Sequence, residues 1–375
     1  MSRAINTNLP LPLFDADDAY VPPTEGIKYA GSKRKLLPQI LALAKKTGAK
    51  SVLDGFSGST RVSQAFAQLG YRVLSNDIAI WSEVFATCYL QNRQEPECFI
   101  ALIDHFNSLP PKNGWFTEHY GGLANDGVSA QPDGLKKPWQ IHNTRKLDAI
   151  RDEIDKLSLS RVERAVALTS LILALDRVDN TLGHFVSYLQ QWSPRSFNAM
   201  ELRVPRLFVS DAGNSVTRAD IFNVSLDVDL AYLDPPYGSN NEKMPPSRVR
   251  YSSYYHPWTT VCLNDTPALF GKALRRIDTS DTKSPSVFEE FRKNPEPGRF
   301  IAVEAIDDLL RSVRAHWVIL SYSSGGRATA DELNDALHRA GKIVEVVEVD
   351  HKRHVMASMK WTNSWVRDAT APNRE

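Results

Sequence analysis

The sequence predicts an α/β protein built on a doubly wound parallel sheet, interrupted by a mainly helical insertion. Three observations carry that expectation. Between residues 51 and 90 the chain reads strand, glycine turn, helix, strand, acid, helix. From about 101 to 205 that alternation stops, and helical periodicity mixed with aromatic and polar stretches takes over. After 206 strand-like apolar runs return.

Taken in order, residues 1–26 carry four prolines and no periodicity, so an extended arm is expected. Residues 31–48 turn helical, with Leu36, Leu37, Ile40, Leu41 and Leu43 as the apolar stripe and Pro38 tolerable only in an early turn. The run 51–54 is a short buried strand, followed by a Gly-Phe-Ser-Gly-Ser turn and a helix from Thr60 to Leu69 that Gly70 stops. A second strand spans 72–77 and a second helix 78–90. Within the insertion, helices are expected at 143–157 and 160–176. Strands are then expected at 206–210, 229–234, 316–322 and 342–349, with a helix opened by Thr329 and Glu332 at capping-box spacing. This divides the chain into a core of 27–100 and 206–361, the insertion 101–205, a second insertion at about 238–298, and a tail of 362–375.

Composition narrows the class. At about 150 residues per domain, 375 residues suit one large or two modest domains. Lys plus Arg total 45 against 44 acids, which excludes a global polycation and leaves room for a local basic cleft. Three scattered cysteines make neither a disulfide framework nor a zinc site, and no other spacing suggests a metal. The first residues lack the basic start and apolar run of a signal peptide, and the most apolar stretch, 166–175, is too short to span a bilayer. A cytoplasmic protein is expected.

Chemistry concentrates at strand ends. The first strand ends in Asp54 before the turn holding Phe56, Ser57 and Gly58, and the second ends in Asp77 before Ile78. In a doubly wound fold these acids reach the carboxyl edge of the sheet, where ligands bind. Asp77 is placed to accept from ribose hydroxyls. The turn lacks the GxGxxG spacing that crowds a pyrophosphate, which favours a nucleoside ligand without a diphosphate, such as S-adenosylmethionine. Taken alone, the pattern also fits a structural glycine turn beside a solvated acid.

Asp234-Pro235-Pro236-Tyr237 is more specific. An apolar strand ends in an acid, two prolines stiffen the turn, and an aromatic follows directly. Asp234 and the Pro235 carbonyl are thereby held as adjacent acceptors. Acceptors gripping an exocyclic amine localise its conjugated lone pair, and Tyr237 offers a stacking face for an extruded base. Residues 27–37 add Lys28 and Lys33 around an Ala-Gly-Ser turn that opens a helix, a place for an anion. Asp220 and Ile221 form a weaker pair that could hold and cover an adenine ring. Asp176, Arg177 and Asp179 read as a satisfied ion cluster, and Trp115, Trp139, Trp192 and Trp258 read as core.

KYAGSK, DGFSGST, SND, an insertion and then DPPY follow the motif order of the alpha-class (Dam-type) DNA adenine-N6 methyltransferases, and the chain resembles that family over roughly 27–100 and 206–361. The segments 253–260, 319–326 and 351–358 are similar to family segments too. The resemblance implies a Rossmann-like S-adenosylmethionine-dependent methyltransferase core with an inserted, mainly helical target-recognition subdomain. It implies that Tyr29, Lys33, Asp54, Phe56, Ser57, Gly58, Asp77, Ile78, Asp220, Ile221 and Asp234 contact S-adenosylmethionine. Tyr29 stands where the family commonly has Trp, Ser32 where it has Gly, and Ile221 where it has Phe. Asp234, Pro235, Pro236 and Tyr237 match the catalytic tetrapeptide without departure. Duplex DNA is the implied partner. A near-neutral chain must concentrate cations on one face to bind it, so Lys28, Arg34, Lys352 and Arg353 are expected on its backbone, and Arg145 and Arg195 of the insertion are expected to read its bases. A cognate restriction endonuclease is a second possible partner.

Two other readings remain. One keeps the chemistry and changes the acceptor to cytosine N4 or an RNA amine. The N4-cytosine members of the family usually carry Ser at the position of Asp234, and the RNA enzymes are typically shorter. The other is a DNA-binding homologue without activity, against which the intact tetrapeptide and Asp77 speak.

Overall fold

The computed structural model describes residues 20–124, 126–237, 251–279, 286–290, 292–296, 298–341 and 345–351, with short strands at 359–360, 366–367 and 373–374. At its centre is a five-stranded, wholly parallel sheet in the order β5-β2-β1-β6-β9. These strands are β1 (Ser51–Asp54), β2 (Arg72–Asn76), β5 (Ser215–Thr217), β6 (Val228–Leu233) and β9 (Ala315–Leu320).

The pleat divides the core. Val52, Val73, Leu230 and Tyr232 point to one face, under α1 (Leu37–Thr47) and α2 (Arg61–Gln68). Leu53, Leu74, Ala231 and Leu233 point to the other, under α10 (Ile301–Ser312) and α11 (Ala330–Arg339). β1 is buried at every position, as a central parallel strand covered on both faces must be. α1 starts with Pro38 in its first turn, buries Leu37, Ile40, Leu41 and Ala44 at helical spacing, and ends on Gly48 at φ +68°. α11 has the expected capping box, with Thr329 accepting from the Glu332 amide.

A third apolar cluster is helical. It joins α3 (Ile80–Leu90) to α4 (Ile100–Ser108), α5 (Trp115–Tyr120), α6 (Ile141–Lys156) and α7 (Arg161–Val178), and beyond β6 to α8 (Tyr251–Tyr254) and α9 (His256–Leu263). Two-residue strands pair within it, β3 (Gly121–Gly122) with β4 (Trp139–Gln140) and β7 (Leu269–Phe270) with β8 (Arg275–Arg276). α7 opens on a Ser160–Glu163 capping box and is buried almost all round, so it is a core helix of this layer. Trp139 and Trp258 are fully buried and Trp192 nearly so, in line with a core role. Among the described residues no helix is long and apolar enough to cross a membrane.

Two strand expectations are corrected. Residues 206–210 form no strand; the edge strand is β5 at 215–217. Leu207 and Phe208 owe their apolar character to packing on the helical cluster rather than to a ladder, and the Arg206 amide donates to the Glu25 carboxylate. Of 342–349, the described part 345–349 is also irregular, and Val346 is exposed. Its valines are not in the sheet, which ends at β9 among the described residues. The proposed arm is described from Tyr20, and its end is held: Arg61 donates to the Thr24 carbonyl and Gln64 to the Glu25 carbonyl. Its first part, 1–19, lies outside the described residues.

Candidate active site

The chain leaves β1 on one side for β2 and β5, and returns on the other as β6 and β9. The crevice at that switch, at the carboxyl ends of the strands, is where a doubly wound sheet binds ligands. A cavity of about 550 Å³ opens there. It is lined by residues from both sides of the switch, among them Tyr29, Lys33, Asp54, Asp77, Asp220 and Asp234.

The turn after β1 is fixed by close approach. The Gly55 amide donates to the Tyr232 carbonyl at 3.0 Å, and a Cβ on Gly55 would stand 2.9 Å from Leu233 and 3.0 Å from Ile221. Gly58 takes φ +46°, a Cβ there would lie 3.1 Å from the Tyr29 ring, and its amide donates to Asp77 Oδ2 at 2.8 Å. The Ala79 amide donates to Asp77 Oδ1 at 2.8 Å. The Ile78 amide also acts on this carboxylate, which lines the cavity with acceptor capacity beyond these amides. Burial pushes its carboxyl up while these amides pull it down, and the balance is a raised value. Thr60, at φ +61° and fully buried, carries the chain from this turn into α2, a strained position of the kind found beside ligands.

Asp54 is 1% exposed; Ser63 donates to its Oδ2 at 2.6 Å, and its Oδ1 has no hydrogen-bond partner. Burial raises its carboxyl to about 7. Lys33, in the single turn before α1, is also buried, and its ammonium stands 3.1 Å from Asp234 Oδ1. It also donates to the Tyr237 hydroxyl and lies 4.7 Å from that ring's centroid. Tyr237 in turn donates to Asp234 Oδ1 at 2.5 Å. The carbonyl of Tyr237 accepts from the Arg327 amide at 2.8 Å and the Tyr322 hydroxyl at 3.1 Å, so the loop after β9 holds the proline turn.

Every residue expected to contact the cofactor lines this one cavity: Tyr29, Lys33, Asp54, Phe56, Ser57, Gly58, Asp77, Ile78, Asp220, Ile221 and Asp234. Ile78 is largely exposed, and Ile221 is buried beneath the Gly55 turn. Asp220 caps a single helical turn by accepting from the Phe222 amide. Pro235 and Pro236 line the cavity, whereas Tyr237 is not among its lining residues and reaches the site through its contacts with Lys33 and Asp234. Sequence reading missed Tyr251, Phe288 and Glu289, which also line it. Tyr251, Tyr254 and Tyr255 have the spacing of one helix face, and Tyr255 stacks on Tyr29 at 4.8 Å, a signal that could have drawn attention to Tyr251.

The candidate DNA contacts are not gathered in this way. Lys28 and Arg195 both reach the fully buried Asp179, at 2.9 and 2.7 Å, and the Lys28 amide donates to Asp176 Oδ2. These two cations thus hold the acid pair expected to form a satisfied cluster, whereas Arg177 instead donates to the Glu201 carbonyl. Arg145 is exposed on α6 and donates to Asn113. Arg34 is exposed beside Lys33, and Lys352 and Arg353 lie outside the described residues.

The family pattern described as D12 class N6 adenine-specific DNA methyltransferase matches residues 29–296. The chain is 29% identical to "Modification methylase StsI" of Streptococcus sanguinis over 342 residues, covering 88% of this chain and 49% of that protein. It is 26% identical to "Modification methylase LlaI" of Lactococcus lactis subsp. lactis, covering 86% and 50%. It is 23% identical to "Type II methyltransferase M.NlaIII" of Neisseria lactamica, covering 87% and 92%. The chain spans about half the length of the first two relatives.

Proposed function

The chain belongs to the D12 class N6 adenine-specific DNA methyltransferase family, and from that premise we propose that it methylates adenine N6 at a specific sequence in duplex DNA. S-adenosylmethionine is the donor, and modification alongside a cognate restriction endonuclease is the setting. Cofactor and DNA both belong to the cytoplasm, where we expect the protein to act.

One observation carries the reading: the turn after β1 and the Asp234 turn after β6 face one cavity and are joined by the Gly55–Tyr232 backbone bond. A donor held by the first is within reach of an amine held by the second.

The cavity also suits this donor over a dinucleotide. Six carboxyl groups, Asp54, Asp77, Asp220, Asp234, Asp278 and Glu289, line it, and those that are ionised would repel a diphosphate. A zwitterionic amino acid suits them: the unpartnered Asp54 Oδ1 takes an ammonium, and buried Lys33 takes a carboxylate. Asp77 keeps acceptors for a ribose, and Asp220 with Ile221 and Ile78 flanks a purine.

S-adenosylmethionine supplies an electrophilic methyl. The protein contributes orientation. Asp234 and the Pro235 carbonyl accept from the two N6 hydrogens, draw the lone pair out of the ring, and aim it in line with the methyl. This grip requires the adenine to leave the duplex, because the stiff turn cannot enter a groove. The amine's surplus proton passes to Asp234 or water.

Transfer of tritium from labelled S-adenosylmethionine to duplex DNA, followed by nucleoside analysis, tests the reading. N6-methyladenine should carry the label, and Asp234→Ala should abolish it while the fold survives. Label in N4-methylcytosine, or in RNA alone, would overturn the acceptor. A protein that binds DNA and transfers no label would be the inactive homologue.

A further inference from the structure

We propose that Lys33 is a latch on the base-binding end of the cavity, holding Asp234 and Tyr237 closed until a carboxylate at the cofactor end draws it away. The inference rests on the proposed function, and names how one half of the site controls the other.

Asp234 must accept from an adenine amine, yet its Oδ1 already takes the Lys33 ammonium at 3.1 Å and the Tyr237 hydroxyl at 2.5 Å. Tyr237 must offer a ring face, yet the same ammonium lies 4.7 Å from its centroid. One buried cation thus engages both groups that the base needs. Their side chains are only 4% and 16% exposed for Lys33 and Asp234, so the pair is poorly solvated and the lysine needs an anion wherever it points. Lys33 precedes α1 by a single helical turn and lines the same cavity as Asp54, the acceptor suited to the cofactor's ammonium. A carboxylate bound beside that ammonium replaces Asp234 as the lysine's partner, and the adenine amine takes the lysine's place on Asp234. The ammonium then leaves Asp234 Oδ1 to the Tyr237 hydroxyl and an incoming amine, and no longer lies over the Tyr237 ring.

Base capture should therefore depend on the cofactor's carboxylate specifically. The probe is 2-aminopurine at the target adenine, whose fluorescence rises on unstacking. With wild-type protein and duplex alone the signal should stay low. Saturating S-adenosylhomocysteine should raise it several-fold, whereas its decarboxylated amine, at concentrations shown calorimetrically to saturate the site, should not. In Lys33→Met, which keeps the side-chain length without the charge, the signal should be high with no cofactor present.

A wild-type signal equally high without S-adenosylhomocysteine would overturn the latch, as would equal responses to the two analogues. A Lys33→Met signal still dependent on S-adenosylhomocysteine would do the same. Those results leave the proposed function standing. Absence of signal in every arm, in a wild-type protein that also transfers no methyl to DNA, would remove both.

Discussion

Asp54 keeps one oxygen on Ser63 and leaves the other without a donor, deep in the cavity wall. Its carboxyl stands at about 7 against an ordinary 3.8. A raised value means that the folded protein binds this proton more tightly than the unfolded chain. The group therefore takes stability away as pH climbs from about 4 to 7, and the full loss is present above that range. An ammonium at Oδ1 reverses the preference. Cofactor affinity should accordingly rise with pH through 7, with a proton released on binding below it. Calorimetry in two buffers of different ionisation heat reads that proton directly, and Asp54→Asn should abolish the release. Nearby, Gly58→Ala forces a side chain into the left-handed region at φ +46°, worth about 1–2 kcal/mol, and against the Tyr29 ring. Urea denaturation should show that loss, together with weakened cofactor binding. Asp77→Ala removes the acceptor proposed for the ribose hydroxyls, so it should cost cofactor affinity on the order of 1.5–3 kcal/mol by calorimetry, and it also leaves the Gly58 and Ala79 amides without their acceptor.

Elements differ in how plainly the sequence announces them. β1, α2, β2 and α3 were legible within a residue or two, because each carries its own stop: an acid, a glycine turn, Gly70. The run 206–210 was misread because apolar residues at strand spacing serve equally well to pack a loop on a helical cluster. β5, with three residues and a partly exposed pattern, has almost no periodicity to read. At the site, the acids were legible because strand ends are. The contact of Lys33 with Asp234 was not, since local pattern does not report a pairing across some two hundred residues. Capping offers a test at this scale. Ser160→Ala should cost about 0.5–2 kcal/mol and lower the global unfolding midpoint, because α7 is buried over most of its length beyond the first turn. Thr329→Ala breaks a similar box on the more exposed α11, and hydrogen exchange should report the loss mainly there.

For the whole molecule, the helical layer and the sheet are not separable pieces. Trp81, Phe85, Cys88 and Tyr89 of α3 are buried in the same cluster as α4, α6 and α7. Excising residues 101–205 should strip that face bare, and circular dichroism with urea titration should find a partly unfolded, aggregation-prone remainder rather than a smaller stable core. The order of the sheet has a consequence for synthesis. β6 completes β1 on one side, and residues 55–227 lie between them. At a ribosome adding roughly 5–20 residues per second, that interval lasts roughly 10–35 s. For all of it the apolar edge of β1 waits without its neighbour, exposed to other nascent chains. The same adjacency that brings the two turns of the site together should thus make the newborn protein dependent on chaperones, and slower, cooler expression should raise its folded yield.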